Sequence, residues 1–136
     1  MTENKINQDV LKRIIKIPIV STLGFDFIEL NSGICRAKVK YEKKYDGIFE
    51  SFHGGLLMTV ADSVSAFAIL TLAGADAAIT TTDMNIRFLA ACRTDVTANA
   101  SVIKLGRTLV PVQVDLFDEN KIKVAVAQVN YMKLSR

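Results

Sequence analysis

The segment His53-Gly54-Gly55-Leu56-Leu57-Met58-Thr59-Val60-Ala61-Asp62-Ser63 holds two features that could do chemistry together. The first is a pair of glycines opening an apolar run of helical length, where no side chain keeps a ligand from the backbone. The first N–H groups of a helix have no internal partner, and they sit at the positive end of its dipole. Such a place stabilises a developing oxyanion, a role in which one lost donor typically costs about 2.7–4 kcal/mol. The second feature is Asp62, an ionisable group inside apolar sequence. A carboxylate there needs hydrogen-bond partners or must give up its charge, and either condition suits a base or nucleophile in a cleft.

Each feature alone has a plainer explanation. A His beside a helix start is more often a cap, a Gly-Gly pair more often turn chemistry, and an Asp can be hydrogen-bonded at a polar seam. Ser63 adds no nucleophile, because neither a G-x-S-x-G elbow nor a phosphate-binding glycine signature is present. Geometry constrains the pair. Asp62 follows His53 by nine residues, which in one helix is about 180° of rotation and roughly 13 Å of rise. Within one chain the two ends cannot bracket one carbonyl. Two such helices antiparallel across a two-fold axis can, so if both features act, the site is shared between subunits.

The elements that would position them follow from periodicity. Residues 2–16 read as an amphipathic helix, with Ile6, Val10, Leu11, Ile14 and Ile15 at helical spacing, stopped by Pro18. Strands are expected over 23–30 and 34–41, joined by a turn at 31–33. In the second, Cys35, Ala37, Val39 and Tyr41 alternate with Arg36, Lys38 and Lys40. Residues 53–73 form the long helix, with Gly74 at its end. Further strands are expected over 79–90, 94–105, 109–117 and 122–134, with tight turns at 104–108 and 118–120. Pro111 places its strand at an edge or a bulge. Antiparallel strands around one apolar helix make an α+β domain, one unit over residues 1–136. The helix is apolar nearly all round and should be buried all round. One sheet covers only one side, so a second copy of the chain is expected on the other.

Composition agrees. Of 136 residues half are hydrophobic and 23% are charged, greasy for a small soluble monomer. A membrane span is the competing explanation of the long apolar run, but Asp62, Ser63, Ser65 and Thr71 interrupt it. An Asp near a helix centre costs roughly 2.5–3.5 kcal/mol in lipid. No basic start leads into an apolar stretch at the N-terminus, so a cytoplasmic chain is expected. Cys35 and Cys92 stand apart and should be free thiols, and with a single His no metal site is expected. The net charge of +3 is scattered, without the basic block of a nucleic-acid binder, yet it suits an anionic small molecule.

His53-Gly54-Gly55, Ala61-Asp62-Ser63, the run Thr82-Asp83-Met84-Asn85-Ile86-Arg87-Phe88-Leu89 and Gly106-Arg107 together resemble the hotdog thioesterases of the phenylacetate-degradation (PaaI-like) type. The resemblance runs over nearly the whole chain. It implies a hotdog fold, an antiparallel sheet of five to six strands wrapped around a long central helix, paired as a homodimer or homotetramer. It also implies hydrolysis of an acyl-CoA thioester, of a medium-sized or aryl acyl group, with no cofactor beyond the CoA of the substrate. By the same analogy Asp62 is general base or nucleophile, the Gly54 N–H polarises the thioester carbonyl, His53 shapes that end, and Thr81 orients water. Gly55, Arg87, Lys104, Gly106 and Arg107 are the expected contacts to substrate and to the CoA phosphates. One departure stands out. The family commonly has Asn six residues before the His and Gly three before it, where this chain has Gly47 and Glu50. That Asn is missing unless Asp46 or Glu50 substitutes for it, and a hotdog protein that binds acyl-CoA without cleaving it is the alternative reading.

Overall fold

Alternation of apolar and polar residues builds the sheet, and one apolar helix fills it. A computed structural model describes residues 5–134. Its elements are α1 (Gln8–Ile14), α2 (Pro18–Leu23), β1 (Asp26–Asn31), β2 (Ile34–Val39), a 3-10 turn (Lys43–Tyr45), α3 (Gly54–Ala73), β3 (Ile79–Phe88), β4 (Val96–Val102), β5 (Leu109–Phe117) and β6 (Lys123–Lys133). The strands form one six-stranded antiparallel sheet in the order β1-β2-β4-β5-β6-β3. This is the α+β arrangement expected, with the sheet curled over α3.

The expected faces are the ones buried. Cys35, Ala37 and Val39 of β2, and Val96, Ala98 and Ala100 of β4, are at most 1% exposed, while Arg36 lies in solvent. From α3 they meet Leu57, Val60, Ala61, Val64, Phe67, Ala68 and Ile69. By length and composition α3 could cross a membrane, but here that apolar surface is the core of the sheet. It is not buried all round: Gly55 and Met58 are exposed, and Thr59, Asp62, Ser63 and Ala66 only half-buried. These positions recur at helical spacing, so one continuous flank of α3 stays uncovered by its own sheet.

Three expectations are corrected. The first helix is shorter than 2–16, since Asn7 caps α1 by accepting the Val10 N–H at 3.1 Å. Ahead of that cap the chain pairs with the outer edge of β1, through Leu30 N–H to Lys5 O at 2.6 Å and Asn7 N–H to Leu30 O at 2.7 Å. Residues 2–4 of the expected helix lie outside the described residues. Pro18 does not merely stop a helix: it opens α2 at the first-turn position where its missing N–H costs nothing. Leu23 then belongs to α2, which ends on left-handed Gly24, and the strand starts only at Asp26. Pro111 lies in β5, an interior strand. Ile103 N–H still donates to Pro111 O at 2.9 Å, but β4 ends at Val102, so proline forfeits only the last rung of that ladder.

Candidate active site

The start of α3 is fixed from several sides. Phe52 N–H donates to Cys92 O and His53 N–H to Tyr45 O, both at 2.8 Å. Phe52 and Leu57, both buried, flank a small cavity at the helix entry, in the positions of a hydrophobic staple. His53 is the N-cap, its Nδ1 accepting the Gly55 N–H at 2.9 Å. That bond leaves the imidazole proton on Nε2. It also engages the Gly55 N–H within the chain. The Gly54 N–H is not: as the first helical residue it has no carbonyl behind it in the helix, and no acceptor takes it among the described residues. The Phe88 ring covers the Gly54 α-carbon so closely that an added Cβ would stand 3.3 Å from its Cζ.

Two turns on, Asp62 occupies the open flank. Its Oδ1 accepts from Thr81 Oγ1 at 2.8 Å and from the Tyr131 hydroxyl at 2.7 Å. The same hydroxyl lies 2.9 Å from the Asp62 carbonyl oxygen, so one phenolic proton is shared between side chain and backbone of one residue. Oδ2 has no partner among the described residues. The carboxylate is thus held by one oxygen and presents the other. Burial first, and the Asp62 charge after it, hold the Tyr131 phenol well above its ordinary pKa, so it stays a neutral donor.

Local sheet geometry explains why these two hydroxyls meet Asp62. Thr81 stands directly opposite Tyr131 in the β3–β6 pair, and Tyr131 opposite Val110 of β5. Met84, Ile86 and Phe88 pair with inward residues of β6, and strict alternation would put Thr82 next on that face. The register shift between Thr81 and Asp83 removes Thr82 from the ladder and turns Thr81 inward instead. Thr82 bonds Asp83 and the Asn130 carbonyl. Tyr131 escaped the sequence reading. The signal was there: a Tyr on the inward face of a strand needs a partner for its hydroxyl, and Asp62 needed donors.

The other expected residues are placed as follows. Arg87 lies on the outer face of the sheet with Asn85, Gln113, Gln128 and Asn130, and within one chain it is not brought to Asp62. Lys104 and Arg107 are exposed on the β4–β5 turn, at the sheet end that carries the Val110–Tyr131–Thr81 row. Gly106 makes that turn possible, because a Cβ there would stand 2.2 Å from Leu109 O. Asp46 and Glu50 both lie in the loop that leads to His53. The Asp46 carboxylate accepts from the Tyr41 hydroxyl, and Glu50, with φ of 56°, sits exposed in the loop before His53. Gly47 lies against His53, with room for a Cβ at 3.6 Å from its Cα.

Known proteins share this fold. The family model described as the thioesterase superfamily matches residues 49–125. Human acyl-coenzyme A thioesterase 13 is 34% identical over 103 residues, covering 74% of this chain and 70% of its own. A thioesterase family protein from Silicibacter pomeroyi superposes with a TM-score of 0.87 at 25% identity, over 95% of this chain and 98% of that one. The PaaI protein of E. coli, from the phenylacetic acid degradation operon, shares the fold with a TM-score of 0.83 at 19% identity, over 94% and 95% of the two chains.

Proposed function

The chain belongs to the thioesterase superfamily, and from that premise we propose that it hydrolyses acyl-CoA thioesters to free acid and CoA, at a site assembled from two copies of the chain. The observation that carries this reading is the division of labour along α3. Gly54 offers an unengaged N–H and Asp62 a free carboxylate oxygen, eight residues apart, or about 12 Å along the axis. One carbonyl cannot touch both within one chain.

The two edges of the sheet differ in a way that favours pairing. The outer edge of β1 is engaged at Leu30 by residues 5–7. The outer edge of β3, ten residues long, bonds nothing among the described residues. An open edge of that length is a template for another strand. Antiparallel pairing of β3 with β3 continues the sheet, lays the open flank of one α3 along the other, and brings Asp62 of one copy toward Gly54 of its partner.

In that site the thioester carbonyl oxygen lies on the Gly54 N–H, at the positive end of α3. Water attacks the carbonyl carbon while Asp62 Oδ2 takes its proton. The oxyanion that forms is held by the Gly54 N–H. When the intermediate collapses the C–S bond breaks, and the CoA thiolate takes the proton back from Asp62. Thr81 and Tyr131 hold the carboxylate plane throughout. Lys104 and Arg107 offer charge for the CoA phosphates, and the scheme uses no cofactor. The absence of the family's Asn, with Gly47 in its place, is the observation favouring a protein that binds acyl-CoA without cleaving it.

Subunit complementation tests the scheme. Asp62→Asn removes the base. Gly54→Pro removes the N–H: proline is accepted at the first helical position and His53, at φ −57° and ψ 130°, already has the conformation that precedes proline, while the Phe88 ring has to give way to the new Cβ at 3.3 Å. Each variant alone should be inactive on a panel of acyl-CoAs. Co-refolded at equal amounts, half the pairs are mixed and each has one intact site, so activity returns to about a quarter of wild type. No recovery would refute the shared site, and a wild type that binds the panel without releasing thiol would establish the binding protein instead.

A further inference from the structure

The outer face of β3 carries an acid and a base, Asp83 and Arg87, with Asn85 between them. All three are exposed. The Asp83 carboxylate is held in place, accepting from Asn130 Nδ2 at 3.2 and 3.1 Å and from the Thr82 hydroxyl at 2.8 Å. Neither Asp83 nor Arg87 makes an ion pair among the described residues. Asp115, two strands over in the row of Arg87, is taken by Lys123 at 3.3 Å.

These charges lie on the open edge of the sheet. Leu89 N–H donates to Val124 O at 2.8 Å, so by alternation Met84, Ile86 and Phe88 turn their backbone groups away from β6. Opposed residues of an antiparallel pair share a face, so two copies of β3 can meet only in alignments that differ by two residues. Centred on Met84, Asp83 faces Asn85 of the second copy. Centred on Ile86, Arg87 faces that Asn85 instead. Centred on Asn85, each Asp83 faces the other copy's Arg87, and the half-buried Met84 and Ile86 meet on the inner face. Of these three alignments only the last opposes acid to base, and symmetry supplies the pair twice.

We propose that Arg87 is a positioning residue: it pairs with Asp83 of a second copy and so selects the alignment in which Asp62 of each copy meets Gly54 of the other. The inference rests on the shared-site reading above and goes beyond it in fixing the register. The site leads to the same alignment by a separate route. Thr81 holds Asp62 at 2.8 Å, and the Phe88 ring lies against Gly54. Bringing Asp62 to the other copy's Gly54 therefore brings Thr81 to the other copy's Phe88. In the alignment centred on Asn85, Phe88 faces position 82, where the irregular pairing has turned Thr81 inward. Either neighbouring alignment displaces one copy by about 6.8 Å, more than twice the length of a hydrogen bond.

A disulfide scan reads the register without turnover. Asn85→Cys places a thiol opposite its own copy, within bridging distance, and should give a covalent dimer on mild oxidation. Met84→Cys and Ile86→Cys should not, since each then meets its own copy only diagonally, about 7–8 Å away. The native Cys35 and Cys92 are buried. Charge exchange reads the pair itself. Asp83→Lys and Arg87→Glu each set like charges opposite one another twice, and each should weaken self-association about tenfold or more by analytical ultracentrifugation. Mixed together, every cation again faces an anion, so pairing and thiol release from acyl-CoA should both return to about the wild-type level. Should Asp83→Lys not fold, Arg87→Glu alone and the disulfide scan still decide. Cross-linking at Asn85 and charge-dependent pairing without any thiol release would support the register and remove only the enzymatic reading. An active wild type that cross-links through Met84 or Ile86, or single charge variants that pair and turn over as wild type does, would overturn the proposal and leave the thioesterase standing.

Discussion

Replacing Asp62 by Asn separates chemistry from architecture more cleanly than any other change in this chain. Two hydroxyls, Thr81 Oγ1 at 2.8 Å and Tyr131 OH at 2.7 Å, donate to Oδ1. In the variant they dictate the amide orientation: the carbonyl oxygen must take the place of Oδ1, and the NH2 must point where Oδ2 was. Shape and both hydrogen bonds persist. What changes is their strength, about 1 kcal/mol less each against a neutral acceptor, offset by no longer desolvating a charge. Stability should therefore stay within about 1 kcal/mol of wild type, measured by urea unfolding. Catalysis should not. A positioned acid–base group contributes about 10²–10⁴ in rate, or about 2.7–5.4 kcal/mol of barrier, and an amide cannot accept water's proton. The assay is thiol release from octanoyl-CoA at saturating substrate, with the oligomeric state checked by light scattering. A variant that turns over within twofold of wild type refutes the assignment of Asp62. One that unfolds or dissociates refutes the claim that the carboxylate is held as described.

The remaining expectations concern the groups around it. Tyr131→Phe removes a buried, charge-assisted hydrogen bond of about 1.5–3 kcal/mol and should lower kcat/KM about 10- to 150-fold with the fold intact by circular dichroism. Thr81→Val should cost less than Tyr131→Phe in the same assay, because Thr81 is exposed and water can replace its donor. Burial pushes the Cys35 thiol from 9.0 up to about 12, so the unfolded chain ionises first. Stability should then be full below pH 9 and fall by up to about 1.4 kcal/mol per pH unit between 9 and 12, a slope that urea titrations of Cys35→Ala should lack. Gly106→Ala forces a Cβ against Leu109 O and should cost about 1–3 kcal/mol in a thermal melt while raising KM for CoA esters.

Much of this site could be read from the chain, and what escaped did so for identifiable reasons. Asp62 was legible as a charge in an apolar helix, and the strand faces as simple alternation. Thr81 was legible only by resemblance, because which of Thr80, Thr81 and Thr82 turns inward is decided by a one-residue irregularity of pairing that leaves no mark in composition. Tyr131 needed the register of β6 against β3. Pro111 misled because a missing donor is costly only where a partner strand is present, and β4 stops there. That His53 folds back on Gly55 was not legible, because a cap's side-chain direction cannot be read from spacing.

The threonine run has a further consequence. If the edge strand slides by one residue past its neighbour and the irregularity at Thr82 straightens, the group that arrives opposite Tyr131 is another threonine. Asp62 keeps a hydroxyl in either alignment. The edge strand thus carries a second threonine at the position such a slip would bring to Asp62.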